Sequence, residues 1–440
     1  MEKIISKKNL LPFILITSCF ALWGFANDIT NPMVAAFEKI FLTGATEATL
    51  VQLAFYGGYG VMAFPAALFI RKYSYKSGIL LGLGLYALGG LMFLPASSIG
   101  EFYPFLIAYF IITCGLSFLE TSANPYILSM GSPQTATRRL NLAQAFNPMG
   151  SLAGMFVASN FILANLNDKD KASRMELEPA AFASIKSQDL DVVSGPYIII
   201  SIVILTVLVL IAMNRMPGNT ADDSGQAMDL KSIFGRLAGN RKYVLGVIAQ
   251  MFYVGAQIMC WTFIIYYGTE VFMARGMGEK DAQVLSQQYN IAAMVVFAIS
   301  RFVCTFLLSY IRPGRLLMLL ALGGILLTFG TIFIGGIYGL YCLVGISACM
   351  SLMFPTIYGI ALEGISGDDA KIAAAGLIMA IIGGTFLPLL QAGIIDSWTF
   401  DFLSGPRASF VLPLLCFVVI SFYGYKVYAM NNQISKNGGR

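Results

Sequence analysis

Residues 105–128 read FLIAYFIITCGLSFLETSANPYIL. A bilayer crossing takes about 20 mostly apolar residues, and this run meets that length with a single acid, Glu120, inside it. Residues 10–33, LLPFILITSCFALWGFANDITNPM, repeat the pattern with Asp28. A carboxylate at membrane depth costs roughly 2.5–3.5 kcal/mol on insertion scales, so one that persists faces a bundle interior or a water-filled path. Arg301 is the third charge in an apolar run. The pattern is that of an all-α membrane protein whose function lies at a few buried charges.

Composition agrees. The 440 residues are 57% hydrophobic and 12% charged, against about 25% charged in soluble domains. Histidine is absent, which excludes histidine metal sites, Ser-His-Asp chemistry and histidine proton relays. The seven cysteines all sit in apolar segments and none forms a CxxC pair, so neither a metal centre nor a disulfide framework is expected. No cofactor is expected either. An intramembrane enzyme is disfavoured, because HExxH chemistry is impossible and Asp28 and Glu120 lack aspartyl-protease surroundings. The N-terminal apolar run is too long for a signal peptide and lacks a cleavage site, so it reads as a retained first span.

Apolar runs predict twelve transmembrane helices, at roughly 11–36, 49–70, 78–97, 103–130, 141–165, 195–214, 243–272, 286–310, 316–334, 337–362, 372–395 and 408–430. With the N-terminus inside, cytoplasmic segments carry nineteen Lys and Arg and outside segments eight. That bias fits the positive-inside rule and places both termini in the cytoplasm. It also accounts for the net charge of +5 without a nucleic-acid partner. A polar stretch at 167–193 reads as a long outside loop. A basic stretch at 215–242 reads as a cytoplasmic linker between two halves, 1–214 and 243–440. The halves echo each other: Gly115 precedes Pro125 by ten residues as Gly345 precedes Pro355, and Ala87-Leu88-Gly89-Gly90 matches Ala321-Leu322-Gly323-Gly324. Two pseudo-symmetric six-helix halves are the layout of a transporter built on a parallel repeat.

Polar residues within the spans form stripes. Span one carries Asn27, Asp28 and Asn31, followed by Pro32; span two offers Gln52, Tyr56 and Tyr59. Span four carries Glu120 and Asn124 on one face; span five has Asn141, Gln144 and Asn147; span seven has Gln250, Tyr253, Gln257 and Trp261. Such groups can satisfy one another between helices. Amides and carboxylates striped with aromatic rings also suit a sugar, whose hydroxyls donate and accept while its apolar face packs on Trp or Tyr. A site for a lipophilic drug would carry fewer amides. Protonating a glutamate of unperturbed pKa near 4.3 costs about 3.7 kcal/mol at pH 7, similar to the cost of keeping it charged in the membrane. Glu120, and with it Asp28, can therefore switch with small changes in hydration, which is what coupling a proton to a conformational cycle requires. Arg301 reads equally as a partner for carbonyls or an acid and as a substrate contact.

The blocks ALWGFANDITNP (21–32), FLETSANPY (118–126), RRLNLAQAFNPMGS (138–151), AQMFYVGAQIMCW (249–261) and MFPTIYGIALEGI (353–365) together resemble the L-fucose–proton symporter family of the major facilitator superfamily. That group also holds glucose/galactose transporters. The resemblance runs from the first span to the last and implies twelve helices, a rocking cycle and a monosaccharide substrate. It places the family's coupling glutamate on Glu120, its amide ligands on Gln144 and Asn147, and its span-seven polar face on Gln250, Tyr253 and Gln257. Its span-one acid falls on Asn31. Here the acid is Asp28, one turn earlier and about 4.5 Å along the helix at 1.5 Å per residue, where the fucose symporter has an asparagine.

The expected function is proton-coupled uptake of a monosaccharide, L-fucose first, by a monomer in the bacterial inner membrane. Glu120 and Asp28 would serve the proton. Asn27, Asp28, Asn31, Glu120, Asn124, Gln144, Asn147, Gln250, Tyr253, Gln257 and Trp261 would serve the sugar. Sodium coupling to glucose or galactose is the alternative, since Asp28 and carbonyls near Pro32 could ligate a hard cation. A drug/proton antiporter of the same fold ranks behind both.

Overall fold

The computed structural model describes residues 5, 9–30, 33–43, 50–167, 169, 171–214, 229–397 and 403–437. Its described residues form helices, turns and loops. Those within 5–130 and 146–226 form one compact unit; those within 131–145 and 227–440 form a second.

The first unit holds α1 (Leu10–Thr30), α2 (Met33–Phe41), α3 (Leu50–Lys72), α4 (Tyr75–Leu91), α5 (Phe93–Ile99) and α6 (Phe102–Ser129). The chain then passes through α7 (Ala136–Gln144), which belongs to the second unit. It returns for α8 (Asn147–Val157), α9 (Lys171–Met175) and α10 (Pro179–Met213). The second unit continues with α11 (Leu230–Gly239), α12 (Arg241–Met273), α13 (Glu279–Leu307), α14 (Pro313–Phe333), α15 (Gly336–Met350) and α16 (Met353–Leu362). It ends with α17 (Gly367–Met379), α18 (Gly383–Ser397), α19 (Gly405–Ser409) and α20 (Val411–Asn437).

Among the described residues, eleven helical segments are long and apolar enough to cross a membrane. The missing twelfth is the expected span at 141–165. It is interrupted: α7 stops at Gln144, residues 145 and 146 turn, α8 runs to Val157, and a π turn over Ala158–Ile162 and a 3-10 turn over Leu163–Asn165 follow. The physical reason for the first break is Pro148, which lacks an N–H and crowds the carbonyl four residues before it. A second correction concerns residues 179–193, expected in an outside loop. They are the first turns of α10, a 35-residue helix about 52 Å long at 1.5 Å per residue, well over a bilayer core of about 30 Å. Of the expected linker, residues 215–228 lie outside the described residues. Residues 230–239 form α11, which buries Ile233 and Leu237 one turn apart. Its Arg236 makes two hydrogen bonds, at 2.8 and 2.7 Å, to Asp369. The exposed Arg236 guanidinium is held above the usual range mainly by that bond.

Close backbone contact organises the first unit. In lipid, helices associate through packing and hydrogen bonds, and small residues let their backbones approach. Gly150 and Gly154, four apart on α8, face α1 so tightly that a Cβ on Gly150 would fall on the Ala21 carbonyl, and one on Gly24 would fall on the Asn147 carbonyl. With no side chain in the way, the Asn147 amide reaches the Phe20 carbonyl at 3.2 Å and Ser151 the Gly24 carbonyl at 3.4 Å. α4 adds a further tie, the Tyr86 hydroxyl donating to the Leu22 carbonyl at 3.0 Å.

The connection between α8 and α10 closes on a buried ion pair. Arg174 Nη2 meets Asp189 Oδ2 at 2.6 Å, with both side chains essentially inaccessible. Asp189 also accepts the Asn167 N–H at 2.8 Å. Arg174 donates to the carbonyls of Lys169 and Asn167 at 2.9 and 3.1 Å, and Lys39 at the end of α2 donates to the Asn167 carbonyl at 2.6 Å. One carboxylate thus fixes a loop that in turn anchors α2.

Two outcomes follow from this packing. Gly150→Ala should give protein that fails to reach a monodisperse state in detergent, because the added methyl has only main chain to displace; size-exclusion chromatography reads this directly. Asp189→Ala should lower stability by about 3–5 kcal/mol, the usual cost of leaving one partner of a buried pair uncompensated, seen as a lower midpoint in thermal unfolding of the purified protein.

Candidate functional site

The polar residues singled out from the sequence fall into two groups, one in each unit. In the first unit, Glu120 sits near the middle of α6 and is 1% exposed. The Tyr59 hydroxyl from α3 lies against its carboxyl, and the Trp23 indole of α1 lies against the same hydroxyl. The hydroxyl and the carboxyl nevertheless complete no hydrogen bond of good geometry, so both Glu120 oxygens and the Tyr59 oxygen are buried without partners. An unpaired buried polar group costs about 1–3 kcal/mol, against about 0.5–1.5 kcal/mol net from a made hydrogen bond. Three buried oxygens here are left with hydrogen-bonding capacity to spare. Asp28 is half-buried on α1 and within electrostatic reach of Tyr56 on α3. Asn27 is half-buried, with its Oδ1 atom buried and unbonded. Asn31 and Pro32 lie outside the described residues, as does the Gln52 side chain.

Two amides expected at the sugar each hold main chain with one N–H. Asn124 is fully buried and donates to the Glu120 carbonyl at 3.0 Å, one turn back on α6. Asn147 is held on the Phe20 carbonyl as described above. Pro125 follows Asn124 without interrupting α6, whereas Pro355, at the matching place in the second unit, follows a break at residues 351–352.

In the second unit, Gln250 on α12 is fully buried and neither amide atom finds a partner. Tyr253, one turn later, donates to the Met350 carbonyl at 3.2 Å, capping the end of α15. Gln257 is half-buried on the same helix. Trp261 donates from Nε1 to Ser347 Oγ at 3.2 Å and meets the Phe297 ring edge to face, centroids 4.9 Å apart. Gln144 is buried at the C-terminus of α7, and Asn141 on the same helix donates to Thr356 Oγ1 at 3.1 Å. Arg301 on α13 is 3% exposed. Its Nη1 donates to the Gln144 carbonyl at 3.0 Å, its Nε donates to the Ser351 carbonyl, and its guanidinium lies 4.6 Å from the centroid of Phe297.

Arg301 is therefore a partner for carbonyls, one of the two readings its sequence position allowed. Sequence reading passed over Trp23, Phe297, Ser347 and Thr356. Phe297 was detectable, since it lies one turn before Arg301 on the same helix and a buried guanidinium favours an aromatic face. Ser347 and Thr356 carried no such signal; each is selected by a neighbour from a distant helix.

The model of the Major Facilitator Superfamily matches residues 16–388. The L-fucose-proton symporter of Haemophilus influenzae is 52% identical over 431 residues, covering 97% of this chain and 98% of that protein. The L-fucose-proton symporter of Escherichia coli K12 is 34% identical over 422 residues, covering 95% and 93%. A crystal structure of FucP, a major facilitator transporter in the outward conformation, superimposes with a TM-score of 0.85 at 33% identity, covering 96% of this chain and 99% of that one.

Proposed function

Because this chain belongs to the L-fucose–proton symporter family of the major facilitator superfamily, we propose that it is a secondary active transporter, not an enzyme, and that it couples proton entry to uptake of L-fucose by alternating access. The observation that carries this reading is Glu120: a carboxyl 1% exposed, with both oxygens unpaired, next to the Tyr59 hydroxyl. Whether such a group holds a proton depends on whether water reaches it. A cycle that opens the site alternately to each side changes that access, so loading and release of the proton accompany the movement. The membrane potential alone supplies about 2.3 kcal/mol per charge per 100 mV for inward transfer.

Among the expected sugar contacts, the buried atoms without a hydrogen bond are Asn27 Oδ1, both Glu120 carboxyl oxygens and both ends of the Gln250 amide. These atoms are the ones we assign to sugar hydroxyls, with Trp261 offering its ring to the apolar face. Asn124, Asn147 and Tyr253 shape the site through the main chain they hold. Asp28 takes the role of the family's span-one acid from one turn earlier. Both termini face the cytoplasm, in a bacterial inner membrane, and the protein works as a monomer.

The test is uptake in proteoliposomes under an imposed inward proton gradient. Labelled L-fucose should accumulate, with collapse of accumulation by a protonophore and no change when sodium is replaced by choline; loss of uptake in choline would shift the coupling ion to sodium. Glu120→Gln should lose accumulation against a gradient while keeping equilibrium exchange. Concentrative uptake by that variant would remove Glu120 from the coupling step. Excess L-fucose should compete at least tenfold better than galactose, glucose or arabinose, and the reverse order would assign another sugar.

A further inference from the structure

In an α-helix the carbonyl of residue i is bonded by the N–H of residue i+4. Proline has no N–H, so a proline in a span leaves the carbonyl four residues earlier without its donor. In hydrocarbon no water makes good the loss. Pro148 and Pro355 each lie just past a helix break. Pro148 would have served Gln144, and Pro355 would have served Ser351. These are the two carbonyls to which Arg301 donates, Nη1 to Gln144 at 3.0 Å and Nε to Ser351.

We infer that Arg301 is a positioning residue that replaces the two backbone donors lost at Pro148 and Pro355, and thereby fixes the C-terminal ends of α7 and α15. Several features support the role. Both carbonyls are at C-terminal ends of helices, α7 and α15, where the macrodipole favours a cation. The guanidinium has five N–H donors in a fixed plane, so it can serve two carbonyls that diverge. Its face rests on Phe297 one turn earlier, 4.6 Å from the ring centroid, a contact that a lysine ammonium could not reproduce while also reaching both oxygens. A second tie runs parallel: Asn141, one turn before Gln144, holds Thr356, the residue after Pro355, at 3.1 Å. The support then extends to the expected sugar ring contact. Phe297 edges Trp261, and Trp261 holds Ser347, one turn before Ser351 on α15. The same helix end that Arg301 caps therefore carries the hydroxyl that sets the Trp261 ring.

This inference rests on the transport reading only for its consequence, which is that moving Arg301 displaces Gln144 and Trp261 and weakens sugar binding. Its structural core is independent of substrate, and the experiment separates the two. Purified wild type, Arg301→Lys and Arg301→Met are unfolded thermally without sugar, each alone and combined with Pro148→Ala and Pro355→Ala. Alanine restores the missing N–H at each break. Arg301→Met should lower Tm by at least about 4 °C in the native background, Arg301→Lys should rescue less than half of that, and the loss should shrink at least twofold once both alanines are present, a non-additivity expected of groups serving the same atoms. Equal losses in the two backgrounds, or no loss at all, would overturn the inference. Should the doubly substituted protein not fold, Pro148→Ala and Pro355→Ala separately read the coupling one carbonyl at a time. The L-fucose-induced rise in Tm is measured on the same samples. It should fall at least tenfold in apparent affinity in Arg301→Met and recover in part with the alanines. Absence of any L-fucose response in wild type counts against the transport reading and leaves the sugar-free coupling to decide the role of Arg301.

Discussion

A main-chain carbonyl stripped of its helical donor inside a membrane must find another one within the protein, and this constraint shapes the second unit. Prolines at 148 and 355 interrupt two spans, and each break leaves an oxygen that water cannot serve. One buried guanidinium answers both. A lone cation in such a place would ordinarily be very costly; here two carbonyl oxygens, two helix C-termini and an aromatic face surround it. The charge is tolerated because the backbone has been broken, and the backbone can break because the charge is there.

The first unit solves the opposite problem. Its helices are held by approach and not by charge: glycines on α1 and α8 let the chains touch, and amide and hydroxyl groups close short bonds to the exposed carbonyls. The same unit holds the Glu120 carboxyl, which lies against the Tyr59 hydroxyl without completing a hydrogen bond of good geometry. The buried pair of Arg174 and Asp189 stands apart from this chemistry; it fixes the connection that anchors α2, a stabilising role in which a full pair is kept together.

Hydropathy made most spans legible, because burying backbone in lipid demands about 20 apolar residues in a row and leaves a signal that no packing detail can erase. At 141–165 length and composition were right, but a proline in the first third divides the helix. Hydropathy failed at 179–193, where polar residues read as loop are the first turns of a helix. The acids and the arginine were legible as functional candidates from their cost alone. The polar side chains were legible as a set; that Asn124, Asn147 and Tyr253 hold main chain was not, since a polar stripe has the same spacing whether it faces a ligand or a carbonyl.

By itself the sequence determined the class, the approximate spans, the family, and the three charges that had to be explained, because each follows from the local cost of placing a given residue in hydrocarbon. Only the tertiary structure decided what lies beside those charges. That Glu120 lies beside Tyr59 with no completed bond, and that Arg301 reaches residues 157 and 50 positions away, depends on which helices pack together. Pairing of that kind is set by shape and by leftover backbone donors and acceptors summed over the whole fold, and no stretch of chain carries it alone.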